Sequence, residues 1–213
     1  MSIIWLIALA ILMSTGGVHA QLAPQYPLTI STGTYSSISG TGTSVATGND
    51  VGTNITGLPG FTVNGVTYTN ARMGSNGWLA LYTSSAPTTN TSYNPLSTAM
   101  TNGAVIFAPF GRDLNNNNGG TAWRQQVGNE LVFEWKNFNR YGYIEVLNFQ
   151  IRLNTSTGDI KFVYGTMTPA AYSAYPQVGW KTNGTVAANW STDINNVMID
   201  VTGSPNTCNW SNV

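Results

Sequence analysis

Three consecutive segments between Asn129 and Gly165 place an apolar residue at every second position, and this alternation narrows the choice of fold sharply. In the first, Leu131, Phe133 and Trp135 stand opposite Glu134 and Lys136. The second sets Leu147, Phe149, Ile151 and Leu153 against Asn148, Gln150 and Arg152, and the third carries Ile160, Phe162 and Tyr164. A period of two sends successive side chains to opposite faces of an extended strand, so each segment buries one face. Between the second and third lies Asn154-Thr155-Ser156-Thr157-Gly158-Asp159, a run of turn formers that predicts an antiparallel hairpin. These segments are read as the central sheet of a β-sandwich.

A chain of 213 residues is enough for one domain with a full core. Charged residues make up 8%, eight of each sign, which leaves no basic face for nucleic acid and no polybasic membrane patch. Ile3 to Met13 is an apolar run too short to span a bilayer, and Val18-His19-Ala20 behind it suits signal peptidase. Residues 1–20 are therefore read as a signal peptide, the mature chain as free of membrane spans, and the protein as secreted or held at a cell surface. No Lys or Arg precedes Ile3, which points to an upstream start or an atypical signal. Cleavage removes His19, the one histidine, and leaves Cys208 as the one thiol. Such a chain has no Ser-His-Asp or Cys-His nucleophile system, no histidine zinc site and no internal disulfide.

Along the mature chain, Leu28-Thr29-Ile30-Ser31-Thr32 and Tyr35-Ser36-Ser37-Ile38 are candidate edge strands. Phe61-Thr62-Val63 and Val66-Thr67-Tyr68 flank Asn64-Gly65, the signal for a type I′ hairpin. Arg72-Met73-Gly74 and Trp78 to Tyr82 are joined by Ser75-Asn76-Gly77, and Thr83 to Asn102 reads as an exposed, mobile loop. Ala104 to Ala108 is a buried strand that Pro109 should stop, followed by a polar loop from Asp113 to Gly120 and a strand from Thr121 to Val127. Val178 to Trp180 and Val197 to Val201 close the domain. The expected architecture is all-β, an antiparallel β-sandwich of jelly-roll type over residues 21–203. Residues 204–213 are read as the start of a linker or of a truncated following region, so the chain is expected to be the N-terminal piece of something longer.

Gly57 to Tyr82, Ile106 to Phe110 with Asp113-Leu114, Leu131 to Asn137 and Ile160 to Gly165 together resemble the N-terminal β-sandwich domain of large secreted surface proteins of the Bacteroidetes. The resemblance runs from Leu28 to Val201. Those proteins carry fibronectin-type repeats and a type IX secretion sorting domain, and the resemblance implies a non-enzymatic extracellular module for adhesion or glycan recognition. Where that family has paired aspartates, this chain keeps Asp50 beside Asn49 and Asp113 beside Arg112.

Loop aromatics suit a sugar, since a flat ring matches the apolar face of a pyranose while amides and carboxylates take its hydroxyls. Trp123, Tyr141, Tyr143, Tyr172, Tyr175 and Trp190 lie in or beside loops and are the candidate ligand-binding residues, although each has core packing as its plainer explanation. Asp113, Asn115 and Asn117 place oxygen ligands at alternate positions, as at the start of a calcium loop. Asn118 stands where such a loop needs glycine and Arg124 where it needs glutamate, so an Asn-rich surface loop is the simpler reading and no cofactor other than calcium is in view. Glu134 and Glu145 form the one carboxylate pair available to a glycosidase, yet both alternate with apolar residues as outward-facing charges do. The leading expectation is a secreted, non-catalytic surface module that binds a glycan or other cell-surface polymer. Its rivals are a structural, self-associating subunit and a glycoside hydrolase.

Overall fold

Alternation alone would leave each strand with an unburied apolar face, so the extended segments must stack as facing sheets. The computed structural model describes residues 28–32, 34–88, 93–98, 102, 105–168, 176–182, 185–189 and 206–210. Its first eight strands are β1 (Leu28–Thr32), β2 (Thr43–Val45), β3 (Gly52–Ile55), β4 (Phe61–Val63), β5 (Val66–Tyr68), β6 (Asn70–Gly74), β7 (Trp78–Tyr82) and β8 (Val105–Gly111). The remainder are β9 (Leu114–Asn115), β10 (Thr121–Val127), β11 (Glu130–Arg140), β12 (Leu147–Asn154), β13 (Ile160–Tyr164), β14 (Gln177–Thr182), β15 (Thr185–Asn189) and β16 (Asn206–Trp210). There is no helix among the described residues.

A large antiparallel sheet runs β1-β16-β13-β12-β11-β10-β2, with β9 attached to β11. A second, six-stranded sheet runs β15-β14-β8-β7-β6-β3, and β4-β5 forms a separate ribbon. The fold is thus all-β and antiparallel, with two facing sheets. Their eight and six strands exceed the eight of a jelly roll in total.

The alternation predicted for the centre is the one observed. Leu131, Phe133, Trp135, Leu147, Phe149, Ile151, Leu153, Ile160, Phe162 and Tyr164 all enter one core with Leu79, Phe107 and Trp180 of the second sheet. Phe149 stacks between Trp135 at 5.1 Å and Phe110 of β8 at 5.5 Å, measured between ring centres. Polar atoms carried inward are satisfied across the gap. The Trp135 indole donates to the Gly74 carbonyl at 2.9 Å, and the Tyr164 hydroxyl to the Pro109 carbonyl at 2.6 Å. In the β4-β5 ribbon Asn64 and Gly65 have φ of 51° and 75°, the two positive angles that a type I′ turn requires.

Three expectations are corrected. Pro109 does not stop β8, which continues to Gly111. Its missing N–H falls where pairing with β14 shifts register between Gln177 and Gly179, so no ladder bond is forfeited. Asn206–Trp210, expected as linker, forms β16 and pairs with both β1 and β13, because the gap between those strands needs backbone donors and acceptors on both edges. The segment from Thr83 to Asn102 is not simply an exposed loop, since Leu96 is buried. The Lys181 ammonium donates to the Leu96 and Thr98 carbonyls at 2.9 and 2.6 Å. The signal segment and the strand expected at Val197 to Val201 lie outside the described residues.

β1 and β2 occupy opposite edges of the large sheet, so residues 34–42 cross its outer face. There the Glu134 carboxylate accepts from the Tyr35 hydroxyl, from Ser37 Oγ at 3.2 Å, from the Ile38 amide at 3.1 Å and from Gln150 Nε2 at 3.0 Å. Burial and the Glu134 carboxylate push the Tyr35 phenol far above its ordinary range. The Ser36 carbonyl takes Gln150 Nε2 and Arg152. Glu134 accordingly faces outward from its strand, as its alternation suggests, but is fully buried under the crossing segment and is not a solvated charge.

Candidate functional site

At the end of the sandwich where β11 leaves the large sheet, one buried asparagine ties several connections together. Asn76 sits in the β6-β7 turn; its Nδ2 donates to Asp50 Oδ1 at 2.9 Å and its Oδ1 accepts the Leu114 amide at 2.8 Å. Its carbonyl accepts the Arg112 amide at 3.3 Å. Gly77 follows with φ of 70°, and a Cβ there would lie 2.0 Å from the Phe110 carbonyl oxygen, so only glycine lets the turn seat against β8.

Beside this knot, the connection from Tyr141 to Val146 is held rigidly. The Arg140 guanidinium donates Nε to Glu145 Oε2 at 2.9 Å and an Nη to Oε1 at 2.5 Å, both side chains being nearly buried. This bond raises the arginine pKa above its ordinary value. The same guanidinium lies 4.0 Å from the centre of the Tyr143 ring. Asn139 Nδ2 donates to the Arg140 and Tyr143 carbonyls at 2.8 and 2.9 Å, the Tyr141 amide donates to the Asp113 carbonyl at 3.0 Å, and Val146 bridges to Thr168. The backbone is pinned, yet Tyr141 and Tyr143 are each 57% exposed.

These two rings, with Tyr93 and Asn94, line a cleft of about 280 Å³. Its polar lining comes from Arg112, Asp113 and Arg140. Tyr93 is 39% exposed and donates its hydroxyl to Asp50 Oδ2 at 3.4 Å; the Asp113 and Asp50 charges raise its pKa. Burial, and then Asp50, push the Asp113 carboxyl above the usual aspartate value, while Arg112 pulls the other way. Among the described residues, neither the Asp113 carboxylate nor the Arg112 guanidinium makes a hydrogen bond or an ion pair. Rigid aromatic rings around polar groups that still have bonding capacity are what a sugar site requires.

Of the residues expected from sequence, Tyr141, Tyr143 and Asp113 come together here. Trp123 does not. It lies on β10 between Ser44 of β2 and Glu134 of β11, with its indole donating to Thr121 Oγ1 at 2.9 Å. Asn115 is buried in β9 and its Oδ1 accepts the Asn117 amide at 3.2 Å, while Asn117 is exposed. Tyr172, Tyr175 and Trp190 lie outside the described residues. Sequence reasoning missed Tyr93, Arg112 and Arg140. A tyrosine inside the Ser/Thr/Asn/Pro-rich stretch and an arginine next to Asp113 were the available signals. Glu134 and Glu145 have no bonding partner in common, and each is taken up by donors of its own. A second cleft, of about 230 Å³, is lined by Leu58, Pro59, Arg124 and Gln126 among others and offers no exposed ring.

No curated protein and no solved structure matches the chain. One family model does, that described as NIDO related, over residues 25–210. This interval covers both sheets, including β1 and β16, and extends over most of the sequence, so the chain belongs to the NIDO-related family, a family of extracellular, non-catalytic modules.

Proposed function

We propose that this protein is a secreted or cell-surface recognition module that attaches to a glycan through the cleft formed by Tyr93, Tyr141 and Tyr143. The observation that carries this reading is three exposed phenol rings arranged around a carboxylate and a guanidinium with no bonds of their own. Two of the rings stand on a backbone pinned by the Arg140–Glu145 pair, so little ordering entropy is lost on binding. An extracellular family and a leader-like N-terminus favour a role outside the cell, and the resemblance to Bacteroidetes surface proteins favours adhesion. Retention of the purified chain on a panel of insoluble polysaccharides tests the reading. Binding to at least one, lost when Tyr141 and Tyr143 are both replaced by alanine in a protein of unchanged melting temperature, is the expected result. Equal retention of that double variant would place the site elsewhere.

One observation favours a structural rival. β1 forms an edge of the large sheet, and its Ile30 is 41% exposed, the kind of edge that pairs with another strand. Sedimentation that shifts with concentration, and is abolished by Ile30→Lys, would support self-association.

A further inference from the structure

We infer that the cleft selects uncharged sugars, because Arg112 and Asp113 demand a ligand group that donates and accepts at once. The inference rests on the reading of this cleft as a glycan site. Guanidinium only donates and carboxylate only accepts, and the two stand on consecutive residues lining the same cleft. They are not ion-paired to each other, so each still seeks a partner. A neighbouring pair of sugar hydroxyls satisfies both, since each hydroxyl both donates and accepts. A uronate or sulfate would satisfy Arg112 and face the Asp113 carboxylate, with Asp50 close enough to add to the repulsion. An ammonium would satisfy Asp113 and leave Arg112 opposed by like charge. Arg140 also lines the cleft, but its charge is offset by Glu145, which accepts from Nε and one Nη. Partial burial, and then the Asp50 charge, raise the pKa of Asp113, so further negative charge brought into the cleft is disfavoured.

The mechanism also ranks the residues. The tyrosine rings supply area and are tolerant of sugar identity, whereas the half-buried Arg112 and Asp113 lose water when a ligand covers them, and a polar group desolvated without a match penalises the wrong ligand strongly. Arg112 and Asp113 are therefore specificity-determining and the tyrosines supply general affinity.

The test is an array of neutral hexose polymers, uronate- or sulfate-bearing polymers and amino-sugar polymers, probed with the full chain and read at two salt concentrations. Calorimetry follows on the best-retained oligosaccharide. Retention should concentrate on the neutral class, at least tenfold above the charged ones. Asp113→Asn and Arg112→Gln should each weaken the neutral ligand by tenfold or more and narrow the gap between classes. Preference for an acidic or an amino sugar, or equal retention of all three classes, would overturn the charge selection and leave glycan binding intact. No retention on any class would overturn the glycan reading itself.

Discussion

Replacing Glu134 by alanine should loosen residues 34–38 from the large sheet and cost a large part of the stability of the domain. The carboxylate is fully buried and takes four donors: the Tyr35 hydroxyl, Ser37 Oγ, the Ile38 amide and Gln150 Nε2. A hydrogen bond to a charged acceptor contributes about 1.5–3 kcal/mol, and a buried donor left without a partner costs about 1–3 kcal/mol. Alanine orphans the Ile38 amide and the tyrosine hydroxyl and leaves Gln150 Nε2 with the Ser36 carbonyl alone, and the crossing segment can recover some of the loss by letting water in. The expected cost is about 3–5 kcal/mol, the range found when one side of a buried charged arrangement is removed. For a domain of this size that lowers the melting temperature by roughly 10–15 °C. Glutamine keeps the volume but turns one oxygen into a donor that faces another donor, so Glu134→Gln should cost about half as much. Guanidinium denaturation at pH 7 supplies the free energies, and hydrogen exchange at the Ile38 amide locates the effect. A loss below about 1 kcal/mol for Glu134→Ala, or unchanged protection of Ile38, would refute the claim that this carboxylate holds the crossing segment.

Further outcomes follow from the same geometry. Gly77→Ala forces a side chain into a positive-φ turn and against the Phe110 carbonyl oxygen, and should lower stability by about 2–4 kcal/mol in thermal melts. Asn76→Ala strips the buried Leu114 amide of its acceptor and frees Asp50, so it should cost about 2–3 kcal/mol and speed exchange at Leu114. Asp113 has its pKa raised above 3.8 in the folded state, so its contribution to stability is complete at lower pH and is lost as pH rises through the folded value. Asp113→Asn should therefore leave the domain at least as stable at pH 7 and flatten the pH dependence of unfolding on the alkaline side of the ordinary aspartate value of 3.8; lower stability of the variant at pH 7 would contradict the partial burial of that carboxylate.

Much of the framework was legible in the residues themselves. Alternation in Leu131 to Tyr164 and the Asn64-Gly65 pair are local signals, and each states which side chain turns inward or which backbone angles are allowed, whatever the rest of the chain does. Tyr141 and Tyr143 could be picked out as loop aromatics for the same reason. Other features depended on partners distant in sequence. The outward position of Glu134 in its strand was read correctly, but its burial comes from Tyr35 to Ile38, about a hundred residues away. Pro109 could be accommodated only because β14 shifts register beside it, and Asn206–Trp210 became a strand only because β1 and β13 leave a slot between them.

The same division holds for the site. Composition carries the expectation that imidazole-based chemistry is lacking, because such chemistry needs residue types that can be counted and the one histidine, His19, falls in the stretch read as a signal peptide. The meeting of Tyr93, Arg112, Asp113, Tyr141 and Tyr143 around one cleft was decided by the tertiary structure, through Asn76 and the Arg140–Glu145 pair. Periodicity is a property of neighbours along the chain, whereas a cleft is a property of turns brought together by two sheets, and no local pattern records which turns will share an end.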